Sequence, residues 1–252
     1  MMAAPLPTVA LSADARRAAR VGGWSLILAA LAFIAVFTYL AVRFSYPDVL
    51  DGKAEQVLPA LLAMGQEGRG VWGIYGLLPL LLLPAGLGAH AVLREHAPMY
   101  ARGAVLLAAS AAAAMLLGLL RWPSIHWVLA ESFVATDDVG QRAAITVLFD
   151  GLNSYLGNFI GEFVGEFTLN GFFLCVAWGS RGARDMPRWS VVAGLLAAAA
   201  GFTAMWRNVT PAVAAIAEIE NSILPLWMIL LGALLIRAGR APRITEGVAR
   251  AV

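Results

Sequence analysis

The chain has 252 residues, 60% hydrophobic and only 13% charged, with a mean hydropathy of +0.76. Soluble domains carry about 25% charged residues, so much of this surface must face lipid rather than water. Eighteen basic and sixteen acidic residues leave a net charge of +2. Lys53 is the only lysine, Cys175 the only cysteine, and His90, His96 and His126 the only histidines; this set excludes a Schiff-base lysine in the membrane core, an intrachain disulfide, CxxC metal or haem motifs and the histidine boxes of membrane di-iron enzymes.

A spanning helix needs about 20 mainly apolar residues, because hydrocarbon leaves no backbone polar group a partner outside the helix. Six segments qualify: 23–42; 71–93, punctuated by Pro79 and Pro84; 103–120; 156–179; 189–206; and 213–236. The fold class is therefore all-α, a polytopic membrane protein built as a bundle of six transmembrane helices. Residues 1–20 read as an N-terminal tail, 21–238 as the transmembrane domain and 239–252 as a C-terminal tail. The run ARRAAR before the first span resembles a secretory leader, but the apolar stretch behind it is too long for one and reads as a retained span.

Two connections on the opposite side from the termini carry helical periodicity. In 46–70, Val57, Leu58, Leu61, Leu62 and Met64 recur at helical spacing, which predicts a short amphipathic helix on the outer surface. In 123–155 the apolar residues recur at three and four. Pro123 predicts a break after Arg121 and Trp122, Thr136, Asp137 and Asp138 are good capping residues, and the last piece is open to continuing into span four. Amphipathic helices thus cap the outer face.

Orientation follows from arginine placement. Twelve of the eighteen basic residues fall on the side of the termini, in the groups around Arg16–Arg20, Arg94–Arg102, Arg181–Arg188 and Arg237–Arg250; Arg43, Lys53, Arg69, Arg121, Arg142 and Arg207 fall on the other. The positive-inside rule makes both termini cytoplasmic. The arginine clusters are short and membrane-adjacent, so anionic lipid is the expected partner and nucleic acid is not.

Span four carries a polar ladder at every fourth residue: Asp150, Ser154, Asn158, Glu162, Glu166 and Asn170. With 3.6 residues per turn each step drifts by about 40°, so Asn158, Glu162 and Glu166 share a face while Asp150 and Asn170 rotate away. Beside them Gly157, Gly161 and Gly165 form a ridge that lets another helix approach closely. Span six offers Glu218 and Asn221, and Pro225 frees the Asn221 carbonyl from its intrahelical bond. Arg121 and Arg207, at the outer ends of spans three and five, are the cations within reach. Of the two glutamates, Glu162 is expected to be the ion-paired one and Glu166, one turn deeper, the protonated one.

Intramembrane ionisable residues are functional candidates by default. One reading is an outward-facing buried polar cavity, formed by Asn158, Glu162, Glu166, Glu218, Asn221, Arg121, Arg207 and His126, that binds a cation, proton or small polar ligand for transport or sensing. A second is an accessory or regulatory subunit, with a membrane-protein partner, in which the same residues only fix helix packing. An intramembrane enzyme is a third; no nucleophile–base pair supports it. His126, beside Trp122 and Trp127, is also read as part of an interfacial aromatic belt. The acids lack any Glu-x-x-His, which disfavours a di-iron centre, and no sequence feature calls for a cofactor; whether the carboxylates hold another metal is left open.

The succession SYPDVLDGKAEQVLPALLAMGQEGRGVWGIYGLLPLLLLPAGLGA, then a span ending in an arginine, then YLGNFIGEFVGEF and a final ILPLWMILLGALLIR resembles bacterial multi-spanning proteins grouped as a domain of unknown function. The resemblance covers about residues 20–238. It implies a six-span inner-membrane bundle and transfers no activity, cofactor or catalytic residue.

Overall fold

The computed structural model describes residues 11–47, 49, 52–183 and 186–240, and every regular element among them is helical. Six helical stretches are long and apolar enough to cross a membrane. Span one is α1 (Ala13–Phe44), which begins within the expected tail because Ser12 caps it, its Oγ accepting from Ala15 N at 3.2 Å. Arg184, Arg243 and Arg250 of the basic groups, and all of the C-terminal tail beyond Arg240, lie outside the described residues.

The amphipathic helix expected in 46–70 is α2 (Ala54–Ala63), with Val57, Leu58 and Leu61 buried. Its buried face packs on a later helix, at Trp127–Ala135, and Gly65, at φ +66°, turns the chain directly into α3 (Gly65–Leu77). Only glycine adopts that backbone region freely. Span two therefore starts six residues earlier than its apolar run, tightens into a 3₁₀ turn at Leu78–Leu81 around Pro79, and ends in α4 (Leu82–Leu93).

Pro123 does not break span three. After α5 (Pro98–Leu120) the chain makes one π-helical turn, Trp122–His126, and continues as α6 (Trp127–Ala135). The wider ring closes from His126 N to Arg121 O at 2.8 Å. It places the proline, which has no N–H to donate, in the first turn, where no donor is needed. Asp138 caps α7 (Val139–Leu152), its carboxylate accepting from Gln141 N at 2.7 Å. From there span four is uninterrupted: α7, a π-helical stretch at Asn153–Val164, then α8 (Gly165–Gly179). Span five is α9 (Arg188–Ala204) closed by a 3₁₀ turn at Met205–Asn208, and span six opens in a 3₁₀ turn at Pro211–Val213 before α10 (Ala214–Ala238).

The spans form a closed ring in which each packs on its predecessor and α10 returns to α1. The end carrying the described chain ends is here the base, the other the top. Small residues set the spacing at the base. A Cβ built on Gly232 would sit 2.6 Å from the Gly23 carbonyl oxygen, so α1 and α10 touch backbone to backbone. Around that contact lies an apolar core that includes Leu26, Leu93, Phe172, Phe173, Leu231 and Leu235. A second core, at the top, is aromatic: Trp72 stacks on Trp122 with centroids 4.9 Å apart, and Phe44 meets both edge-on.

Candidate functional site

Between the two cores the ring encloses a cavity of about 680 Å³. Its lining extends from Tyr46, Pro47 and Pro211 at the top to Ala29, Leu82, Leu169 and Met228. Ala214 to Met228 alone covers about 21 Å of helical rise. One wall, from spans one and two, is a patch of four rings: Phe33, Phe37, Tyr46 and Tyr75, with neighbouring centroids 5.1–6.3 Å apart. The facing wall is polar.

Asn158, Glu162 and Glu166 line that polar wall, whereas Asp150 and Ser154 are exposed outside it and Asn170 is buried, its Nδ2 donating to Glu166 O at 2.8 Å. The ladder divides where rotation predicts, but the rotation differs from the expected one. Through Asn153–Val164 the hydrogen bonds run i→i+5, so residues four apart fall short of a full turn instead of overshooting it. The glycine ridge packs on α5 as expected: Gly165 on Met115, Gly161 on Gly118, and Gly157 under the Arg121 guanidinium. A Cβ on Gly161 would lie 2.8 Å from Gly118 Cα.

Arg207 joins both glutamates. Its two terminal nitrogens donate to the two oxygens of Glu166, at 2.8 and 2.5 Å, and one also donates to Glu162 at 2.9 Å. The expectation that Glu162 is ion-paired holds; the expectation that Glu166 lies beyond the reach of an arginine is corrected, since it receives the two-pronged contact from Arg207. Arg207 sits on the 3₁₀ turn that ends span five, and its long side chain makes up the depth that helical rise puts between it and Glu166.

Arg121 is buried and lines the cavity, but its donors are engaged by the Gly118 carbonyl and by Asn153 Oδ1 at 3.1–3.2 Å. His126 is separate from the cavity. It is fully buried between Trp122 and Phe149, with centroids 4.9 and 4.7 Å away, and neither ring nitrogen has a hydrogen-bond partner among the described residues. Trp122 and Trp127 are buried too, so the three form part of the top core and not an interfacial belt.

Span six contributes Glu218, Glu220 and Asn221 to the lining. Glu220 is 5% exposed and, among the described residues, neither it nor Glu218 makes a hydrogen bond or ion pair. Glu220 was not among the residues expected at the site; on an ideal helix it lies about 200° from Glu218. A second acid in the same half-span was the available signal. Tyr46, Tyr75 and Asn208 also line the cavity unforeseen. Burial first, and the Glu162 carboxylate second, push the Tyr46 phenol up to about 12, so it remains a neutral hydroxyl at physiological pH. No group of three or more His, Cys, Asp or Glu among the described residues is placed to hold a metal ion.

No curated protein and no solved structure matches the chain. The family model described as a domain of unknown function, DUF4386, matches residues 21–232, the six-span region that builds the ring and its cavity, and the chain belongs to that family.

Proposed function

We propose that this protein is a multi-pass inner-membrane protein that binds a positively charged small ligand in its polar cavity, for transport or sensing. The observation that carries the reading is the imbalance between two sets of carboxylates. Glu162 and Glu166 are satisfied by Arg207, and the packing reading accounts for them fully: they lock span four to span five. Glu218 and Glu220 line the same cavity, and among the described residues neither makes a hydrogen bond or ion pair; Glu218 is exposed, whereas Glu220 is buried. A carboxylate held away from water without a partner, as that of Glu220 is, is costly, and a fold that only needed packing there would place an apolar residue. The arginine groups around the described chain ends favour a cytoplasmic base and a cavity that opens at the outer face.

Thermal unfolding in detergent tests this, with sodium, magnesium, methylammonium and tetraphenylphosphonium chlorides as probes. A ligand at a hundredfold its Kd stabilises by about 2.7 kcal/mol, which is about 5–10 °C for a chain of this size. At least one probe should give such a shift, and a Glu218→Gln, Glu220→Gln protein with unchanged helicity should lose it. If no probe shifts the transition, or the double variant responds like the parent, the carboxylates only serve packing and the reading is wrong.

A further inference from the structure

We infer that the ligand is a lipophilic organic cation, one positive group carried on a bulky apolar body, and not an inorganic ion or a compact polar solute. The inference rests on the proposed binding role and names the class of molecule the cavity takes.

Size comes first. A cavity of about 680 Å³ falls within the roughly 300–1,000 Å³ typical of sites that enclose whole organic molecules. A metal ion or proton would leave nearly all of it unfilled. Charge comes second. Among the described residues the lining holds four carboxylates, Glu162, Glu166, Glu218 and Glu220, against the guanidiniums of Arg121 and Arg207. Both guanidiniums are already hydrogen-bonded within the wall and the carboxylates outnumber them, so an anion would meet net repulsion. Glu220 supplies the independent sign of a ligand: a carboxylate 95% buried, lining the cavity, with no partner among the described residues. A cation completes it.

The opposite wall distinguishes an organic cation from a hydrated one. Phe33, Phe37, Tyr46 and Tyr75 present ring surface to the cavity, and the negative face of an aromatic ring attracts a cation most strongly when that cation is poorly hydrated. Below them Leu82, Leu169 and Met228 line the deep end with hydrocarbon only. Such a lining rewards an apolar body and penalises a compact hydrophilic solute, which would have to shed its water against it. Carboxylates on one side, rings on the other and an apolar floor match a molecule whose charge is at its side or head and whose remainder is hydrocarbon or aryl.

Equilibrium dialysis of the full chain in detergent separates these terms with three probes. Tetraphenylphosphonium has both charge and apolar body, tetramethylammonium has the charge alone, and tetraphenylborate has the same shape with the opposite charge. Tetraphenylphosphonium should bind saturably and at least tenfold more tightly than tetramethylammonium, and tetraphenylborate should show only the non-saturable uptake of empty micelles. Glu220→Gln should weaken tetraphenylphosphonium at least tenfold. Phe33→Ala should weaken it, and by a larger factor than it weakens tetramethylammonium. Equal saturable binding of the phosphonium and the borate would overturn the inference, as would equal affinity for the two cations or an unaffected Glu220→Gln. If sodium, magnesium or methylammonium binds and tetraphenylphosphonium does not, the cation site stands and its organic specificity falls. If no cation binds, both fall.

Discussion

Span six contains two different helices in one. From Pro225 to Ala238 most positions are buried, and Gly232 brings the backbone against Gly23 of span one. From Ala214 to Leu224 only Ala217 and Glu220 are buried, although the mean composition of the span is apolar throughout. The base half is held by shape, with glycine, leucine and Trp227 meeting neighbours at van der Waals distance. The top half stands off from span one, and the cavity occupies the gap between Phe33 and Phe37 on one side and Glu218 and Asn221 on the other. The same pair of helices thus provides the tightest contact in the ring and its widest opening. Stability and binding are carried by different halves, so substitutions should separate them.

The largest effect should come from the base. Gly232→Val forces atoms into the Gly23 backbone, which cannot move aside as a side chain would, and overpacking of this kind costs about 3 kcal/mol or more. Chemical unfolding in detergent should show that loss; a variant as stable as the parent would mean that the two helices are not in register at Gly23. Next in size is Arg207→Gln. Removing one partner of a buried ion pair costs about 3–5 kcal/mol, and the 29% exposure of the Arg207 side chain reduces this to about 2 kcal/mol. Restoring that stability with a second change, Glu166→Gln, would confirm that the loss comes from an unpaired carboxylate. The smallest effect should be that of His126→Phe. Its nitrogens have no partner and its neighbours are rings, so an apolar ring should leave stability within about 1 kcal/mol and ligand-induced shifts unchanged. A loss of those shifts would return His126 to the site.

The membrane-crossing parts of the fold could be read from the sequence because lipid imposes length and apolarity on any span, and all six segments lie within spans of the structure. Their top ends could not. Pro123 carries the signal of a helix break, and only the π turn built around it shows that the helix absorbs the residue. Nor does YLGNFIGEFVGEF announce a π-helical stretch, since the i→i+5 register depends on how spans three and five hold span four. The polar face of Asn158, Glu162 and Glu166 survived that change because it begins midway along the stretch and ends in α8, so only part of the altered rotation accumulates along it. Depth taken from Cα alone misleads for Arg207, which reaches farther than its backbone position suggests. Glu220 has a different origin: it borders the same opening as Glu218 because the cavity is wider than one helical stripe.

Gly157 has no group that could touch a ligand, and a search of the chain for chemistry passes over it. Yet the space beside its Cα is occupied by the Arg121 guanidinium, which lies against Gly157 while bonded to Asn153. A single methyl at 157 would take the same volume. The positive charge would then be pushed off its partners and out toward the cavity, where it would neutralise a carboxylate from within the protein itself. The place of a positive charge along the chamber wall is therefore set in part by an atom that is not there, and an alanine at this position would shift it without adding or removing any charge.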